Sequence, residues 1–152
     1  MPGLARAVAT LRISGDTLNP GEVSGMLGAT PTKAQKKGQE LRGASGFTRT
    51  AKFGMWRLEA LETASADFDG QVQEVLGKLT DDIAVWNRLA SEYKVDLFCG
   101  WFMEMRNEGL EISDSTLLAL GVRGIKLSLD IYAGDKENDD LRQIVAPDSD
   151  QS

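Results

Sequence analysis

The chain has 152 residues, 41% of them hydrophobic and 26% charged, which is the size and balance of one globular domain. It contains no histidine and one cysteine, which removes the commonest general base, the usual partner of a Ser or Cys nucleophile, the commonest metal ligand and any internal disulfide. The net charge of −6 is unevenly spread: residues 1–52 carry eight Lys/Arg against three Asp/Glu, so the remainder is strongly acidic.

The start, Met1 to Ala7, lacks the apolar centre of a signal peptide, and no apolar run approaches the roughly 20 residues that span a bilayer. A cytoplasmic location is the expectation. Ala9, Leu11 and Ile13 then alternate with Thr10, Arg12 and Ser14, the period-two pattern of a strand with one buried face, ended by Gly15-Asp16. Asn19 reads as an N-cap, Pro20 as the first helical residue and Glu22 as a carboxylate at the positive helix end. Val23, Met26 and Leu27 give this short helix an apolar stripe, and Gly28 is placed to stop it in the left-handed conformation.

Residues 33–46 are rich in Lys, Gln and Gly and read as a long exposed loop. A strand is predicted near residues 53–60, with Trp56, Leu58 and Ala60 on one face and Met55, Arg57 and Glu59 on the other. Phe68, Val72, Val75, Leu76 and Leu79 share one helical face. After a break at Thr80-Asp81-Asp82, a second helical stripe runs through Ile83, Trp86, Leu89, Ala90 and Tyr93. Val95 to Met105 is a strand that places Val95, Leu97, Cys99, Trp101 and Met103 opposite Asp96, Phe98, Gly100, Phe102 and Glu104. Ser113 caps a short helix that Gly121 is expected to stop, and Ile125, Leu127, Leu129 and Ile131 alternate as the last strand.

Residues 1–133 are thus expected to form a single α+β domain. The order βαβ-αα-βαβ, in two halves whose short helices end in Leu27-Gly28 and Leu120-Gly121, suggests a ferredoxin-like split βαβ duplication. Its sheet would be antiparallel, with helices on one face. Residues 134–152 hold six Asp/Glu and two Lys/Arg with little apolar patterning, and are expected to form a disordered acidic tail.

The opening block from Arg12 to Val23, with Met26-Leu27-Gly28, Pro31-Thr32, Lys37-Gly38, Trp56, the Leu-spaced helices and the closing Leu129-Asp130-Ile131-Tyr132, resembles the bacterial family termed domain of unknown function 4279. The resemblance covers roughly residues 8–133. It implies those domain boundaries and a bacterial, intracellular protein, and it carries over no catalytic residue and no cofactor.

Several constellations bear on function. Gly21, Gly25 and Gly28 match neither GxxxxGK[ST] nor GxGxxG, and helix capping accounts for Gly21 and Gly28. Lys33, Lys36, Lys37, Arg42, Arg49 and Lys52, opposed only by Glu40, form a basic segment that an anion, nucleic acid or acidic partner would find attractive. A solvated lysine-rich loop, in contact with the acidic remainder of the chain, is the simpler explanation of them. Met55, Phe98, Phe102 and Tyr132 are expected on the sheet face away from the helices, where aromatics without an RNP-like run suit a protein interface better than base stacking. Asp81-Asp82 and Glu108/Glu111/Asp114 fit capping and solvation, and residues 135–140 lack the Gly and final Glu of a calcium loop. Trp56, Trp86, Trp101 and Cys99 read as core.

These residues point to a non-catalytic module that binds another macromolecule, either a second copy of itself or a neighbouring gene product, with no cofactor, no metal and no membrane. A toxin-neutralising immunity protein, acidic enough to meet a basic nuclease, is one concrete form. The alternative is an anion, small-ligand or nucleic-acid binder that uses residues 33–52.

Overall fold

Alternation of apolar and polar residues along four strands gives this chain a sheet with one oily face, and the helices close over that face. The computed structural model describes residues 6–61, 67–104, 107 and 109–133. In chain order the elements are β1 (Arg6–Gly15), α1 (Pro20–Leu27), β2 (Lys33–Gln35), β3 (Glu40–Arg42), β4 (Thr48–Thr50), β5 (Gly54–Glu59), α2 (Phe68–Gly77), α3 (Ile83–Glu92), β6 (Lys94–Phe102), α4 (Asp114–Val122) and β7 (Lys126–Tyr132). The expected acidic tail, Glu108 and the 135–140 stretch lie outside the described residues. Among the described residues no helix is long and apolar enough to cross a membrane.

Ala7, Ala9, Leu11 and Ile13 of β1, Trp56 and Leu58 of β5, and Val95, Leu97 and Cys99 of β6 are all buried on the helical side. They meet Val23 and Leu27 of α1, Phe68, Val72 and Val75 of α2, and Trp86 and Leu89 of α3 in one core. The two innermost indoles are satisfied: Trp56 Nε1 donates to Ser24 Oγ at 2.9 Å and Trp86 Nε1 to the Thr80 carbonyl at 2.8 Å. A buried indole without such a partner would forfeit part of its burial gain.

The fold is α+β, but its sheet departs from the expected antiparallel ferredoxin-like arrangement. The strand order is β2-β5-β1-β6-β7, and β6 and β7 run parallel while the other neighbours are antiparallel. In a split βαβ unit another strand lies between the two that the helix connects. Here β5 pairs directly with β1, and α4 carries the chain from β6 to its immediate parallel neighbour. The helical pair α2–α3 does sit between the two halves in the chain, as the periodicity indicates.

Residues 33–46 are not one loop. Lys33–Gln35 form the edge strand β2 against β5, and Glu40–Arg42 pair with Thr48–Thr50 in a separate two-stranded ribbon. Both strands of the ribbon are largely exposed, so neither needs the apolar alternation by which a strand is recognised in sequence.

The caps follow the sequence closely at one helix and less so at another. Asn19 Oδ1 accepts from the Gly21 and Glu22 backbone N–H groups, and Gly28 takes φ 75° at the end of α1, the left-handed geometry that only glycine adopts without cost. The expected stop at Gly121 is a correction: α4 runs on through Val122, Arg123 is its cap, and the left-handed residue is Gly124 at φ 70°. The likeness between Leu27-Gly28 and Leu120-Gly121 therefore does not reflect equivalent helix ends.

One buried polar side chain replaces a missing strand. The β1–β5 ladder reaches only to Thr10 opposite Glu59, with the Ala60 N–H reaching the Ala9 carbonyl. Beyond that point Gln71 of α2 accepts from the Ala9 N–H at 2.7 Å and donates to the Ala7 carbonyl, so two buried backbone groups are satisfied by an amide from the helix.

Candidate binding site on the uncovered sheet face

Because facing residues of paired strands share a side of the sheet, register decides which polar residues meet. Lys33 of β2 faces Arg57 of β5, Arg57 faces Arg12 of β1, Arg12 faces Asp96 of β6, and Asp96 faces Lys126 of β7. Five residues that are far apart in sequence thus form one transverse row, four cations and one carboxylate. At about 4.8 Å between strands the row is roughly 19 Å long. The next row holds Gln35, Met55, Ser14 and Lys94. The other side of the sheet takes the helices; on this side Gln35 is buried, its amide donating to the Phe53 carbonyl, and the other members of the two rows are half-buried or exposed.

Asp96 organises the centre of the face. Arg12 grips it with two hydrogen bonds, Nε to Oδ1 at 2.9 Å and Nη2 to Oδ2 at 2.6 Å, and Ser128 Oγ donates to Oδ2 at 2.8 Å. Partial burial of Asp96 works to raise its pKa, but the hydrogen bonds from Arg12 and Ser128 and the charges of Arg12 and Lys94 prevail, and the carboxyl is held below its usual value. The same pair raises the Arg12 pKa, with the hydrogen bond to Asp96 as the main cause. Arg12 also lies 4.4 Å from the centre of the Phe98 ring, so its guanidinium is fixed by a carboxylate on one edge and an aromatic face beneath.

A groove of about 480 Å³ opens here, lined by Arg12, Ser14, Phe53, Met55, Lys94, Asp96, Lys126 and Ser128. Three cations outnumber one carboxylate, and that carboxylate is already engaged. Nearby, Arg57 keeps its Nε buried without a hydrogen-bond partner among the described residues, and Glu59 stands 3.9 Å from its Nη2, a loose ion pair. Further along the face, Phe102 and Tyr132 stack with ring centres 4.8 Å apart, and the Tyr132 hydroxyl donates to Asp130 at 2.6 Å. The arrangement suits an acidic group that meets Lys94, Lys126 and Arg57 while apolar parts rest on the exposed aromatic edges.

The sequence-derived basic set is scattered by the fold. Lys33 joins the transverse row. Lys37 reaches away to Asp16 at 3.3 Å in an exposed pair, the kind that contributes little to stability. Arg49 faces Leu41, whereas Arg42 faces Thr48, so the two arginines lie on opposite sides of the β3–β4 ribbon. Lys36 and Lys52 are exposed. Met55, Phe98, Phe102 and Tyr132 do share the uncovered face, as expected. Arg12, Arg57, Lys94, Asp96, Lys126 and Ser128 were missed, although each stands at an alternate strand position beside an apolar neighbour that faces inward.

Other chemistry finds little support. Cys99 is fully buried, and burial pushes its thiol up to about 11, so it is neutral near pH 7. Among the described residues no group of three Asp, Glu or Cys side chains gathers to hold a metal. Asp82 and Asp114 are accounted for at helix starts, Asp82 as the cap of α3. A larger hollow of about 580 Å³ between α2 and α4 is wide open, and its Arg123 donates to the Ala119 carbonyl of its own helix.

No curated protein and no solved structure matches the chain. The capped α1, the Trp56 strand and the closing Leu129-to-Tyr132 strand all lie within the stretch matched by one family model, described as Domain of unknown function (DUF4279), over residues 5–134, and the chain belongs to that family.

Proposed function

We propose that this chain is a non-catalytic binding module that receives an acidic segment of another protein on its uncovered sheet face. The observation that supports this most strongly is the Lys33–Arg57–Arg12–Asp96–Lys126 row, which crosses all five strands and is longer than a small ligand would need. A partner with carboxylates spaced along an extended segment would meet successive cations while its apolar side chains rest on Phe98, Phe102 and Tyr132. The one carboxylate of the groove, Asp96, is held low and already engaged by Arg12 and Ser128, which supports binding over turnover.

The test is fluorescence anisotropy with a labelled Glu-rich peptide, titrated at several salt concentrations. Lys94→Ala combined with Lys126→Ala is expected to weaken binding about 5- to 30-fold, each charge contributing about 0.5–1 kcal/mol, and added salt is expected to weaken it too. Arg42→Ala with Arg49→Ala, on the ribbon, leaves it unchanged. Equal affinity in the Lys94/Lys126 variant would remove the sheet face from consideration, and tighter binding of a mixed-sequence oligonucleotide would favour the nucleic-acid alternative.

A toxin-neutralising immunity protein is the second reading of a macromolecule-binding module, in which a basic partner is met away from the sheet face. The net charge of −6, with Glu22, Asp81, Asp82 and Asp114 exposed on the helices and their approaches, supports a basic partner there. Protection of cells against a toxin encoded beside the gene is the corresponding experiment, and unprotected growth arrest would reject this reading.

A further inference from the structure

We propose that the free edge of β7 is a self-association site, at which two copies of the chain pair antiparallel and join their sheets. Among the described residues β7 is the outermost strand and pairs only with β6. It has seven residues without Pro or Gly, whereas the opposite edge, β2, has three. Native sheets blunt a long open edge with proline, a bulge, very short length or charged side chains; β7 has none of the first three, and its two charges, Lys126 and Asp130, are opposite in sign. Its helical side also leaves Leu129 and Ile131 44% and 51% exposed, and neighbouring α4 leaves Leu117 51% exposed.

The backbone direction fits. The Tyr132 carbonyl accepts from the Met103 N–H, so it points toward β6. By alternation along the strand, Leu127 and Leu129 turn their N–H and C=O groups to the open edge. The side chains then select the register. With a two-fold axis at Ser128, Leu127 of one copy faces Leu129 of the other, twice, and these pairs exchange four backbone hydrogen bonds. On the other side of the sheet Lys126 faces Asp130 of the other copy, also twice. An axis at Leu129 would instead set Lys126 against Tyr132 and Ser128 against Asp130, which leaves both charges without an opposite partner. The sequence of β7 is therefore self-complementary in apolar contact, backbone pairing and charge in a single register.

The 152-residue chain is expected to elute with twice the 16.5 kDa mass of one copy in size-exclusion chromatography with light scattering. Lys126→Asp and Asp130→Lys, each of which sets like charges face to face, weaken the dimer at least tenfold, and the double swap restores it. Leu129→Lys gives monomers. All three side chains are exposed, so circular dichroism of the variants should match the parent. A monomeric parent, single swaps that leave the dimer intact, or a monomer whose Leu127 and Leu129 amides are protected from hydrogen exchange would each overturn the proposal, the last by showing that another segment of the same chain covers the edge. Lys126 belongs to both surfaces, so peptide binding is read separately with Lys94→Ala alone and self-association with Asp130→Lys and Leu129→Lys, and failure of either proposal then leaves the other standing.

Discussion

Gln71→Leu tests whether a helix side chain really substitutes for a strand. Leucine has a similar volume, so packing against the surrounding core is largely kept, but the Ala9 N–H and the Ala7 carbonyl lose their partner. Both alanines are fully buried and water cannot replace the amide. A stranded buried backbone group costs about 1–3 kcal/mol, and relief from burying the glutamine amide offsets part of the sum. A net loss of about 2–4 kcal/mol follows, a large share of the roughly 5–15 kcal/mol typical of a domain. Urea unfolding followed by tryptophan fluorescence reads it directly: with a slope of about 1–3 kcal/mol/M the midpoint falls by about 1–2 M while the slope stays constant. Gln73→Leu, on the exposed side of the same helix, should move stability by no more than about 0.5 kcal/mol. If the two variants unfold at the same midpoint, the bridge contributes nothing and the reasoning fails.

Two further outcomes follow from close packing and from linkage. A Cβ at Gly54 would lie 2.7 Å from the Gly15 carbonyl oxygen and 3.0 Å from Leu18 Cβ, so Gly54→Ala should cost about 1–3 kcal/mol in thermal melts, whereas Gly25→Ala, with open space around it in α1, should be neutral or stabilising; a Gly54 variant that melts like the parent would argue against the tight β1–β5 approach. The carboxyl of Asp96 is lower in the folded chain than in the unfolded one, so its stabilising contribution is complete above the unfolded value near 3.8 and is lost as pH falls through the folded value. Asp69, held low chiefly by the Ser113 N–H, titrates in the same acid window, so the informative quantity is the difference between the parent and Asp96→Asn. That difference should be present at neutral pH and shrink in acid, and a pH-independent difference would deny the Arg12–Asp96 ion pair a stabilising role.

The local pieces were legible because each is decided by neighbours in the chain. Asn19, Pro20 and Gly28 specify α1 through backbone hydrogen bonding and one left-handed φ, and the alternation from Ala7 to Ile13 specifies a strand whatever lies beside it. The same is true of the buried stripe of α2, and of Trp56, Trp86 and Cys99 in the core. Gly121 misled because a glycine permits a helix to end without requiring it, and the tertiary position of Gly124 supplied the turn.

The candidate site was legible only in part, for the same physical reason. Period two shows that Arg12, Arg57, Asp96 and Lys126 point away from the core, but it carries no information on which strand lies next to which. Lysines at 33, 36 and 37 look like a cluster because they are close in sequence, yet the end of β2 sends Lys33 to the row and Lys37 to Asp16. Sequence alone determined the helices, the core-facing side of each main strand and the family. Tertiary structure decided strand order, the parallel β6–β7 pair and the register, because hydrogen bonding between distant strands is a long-range choice, and it is that choice which aligns four cations around one carboxylate and leaves β7 at an open edge.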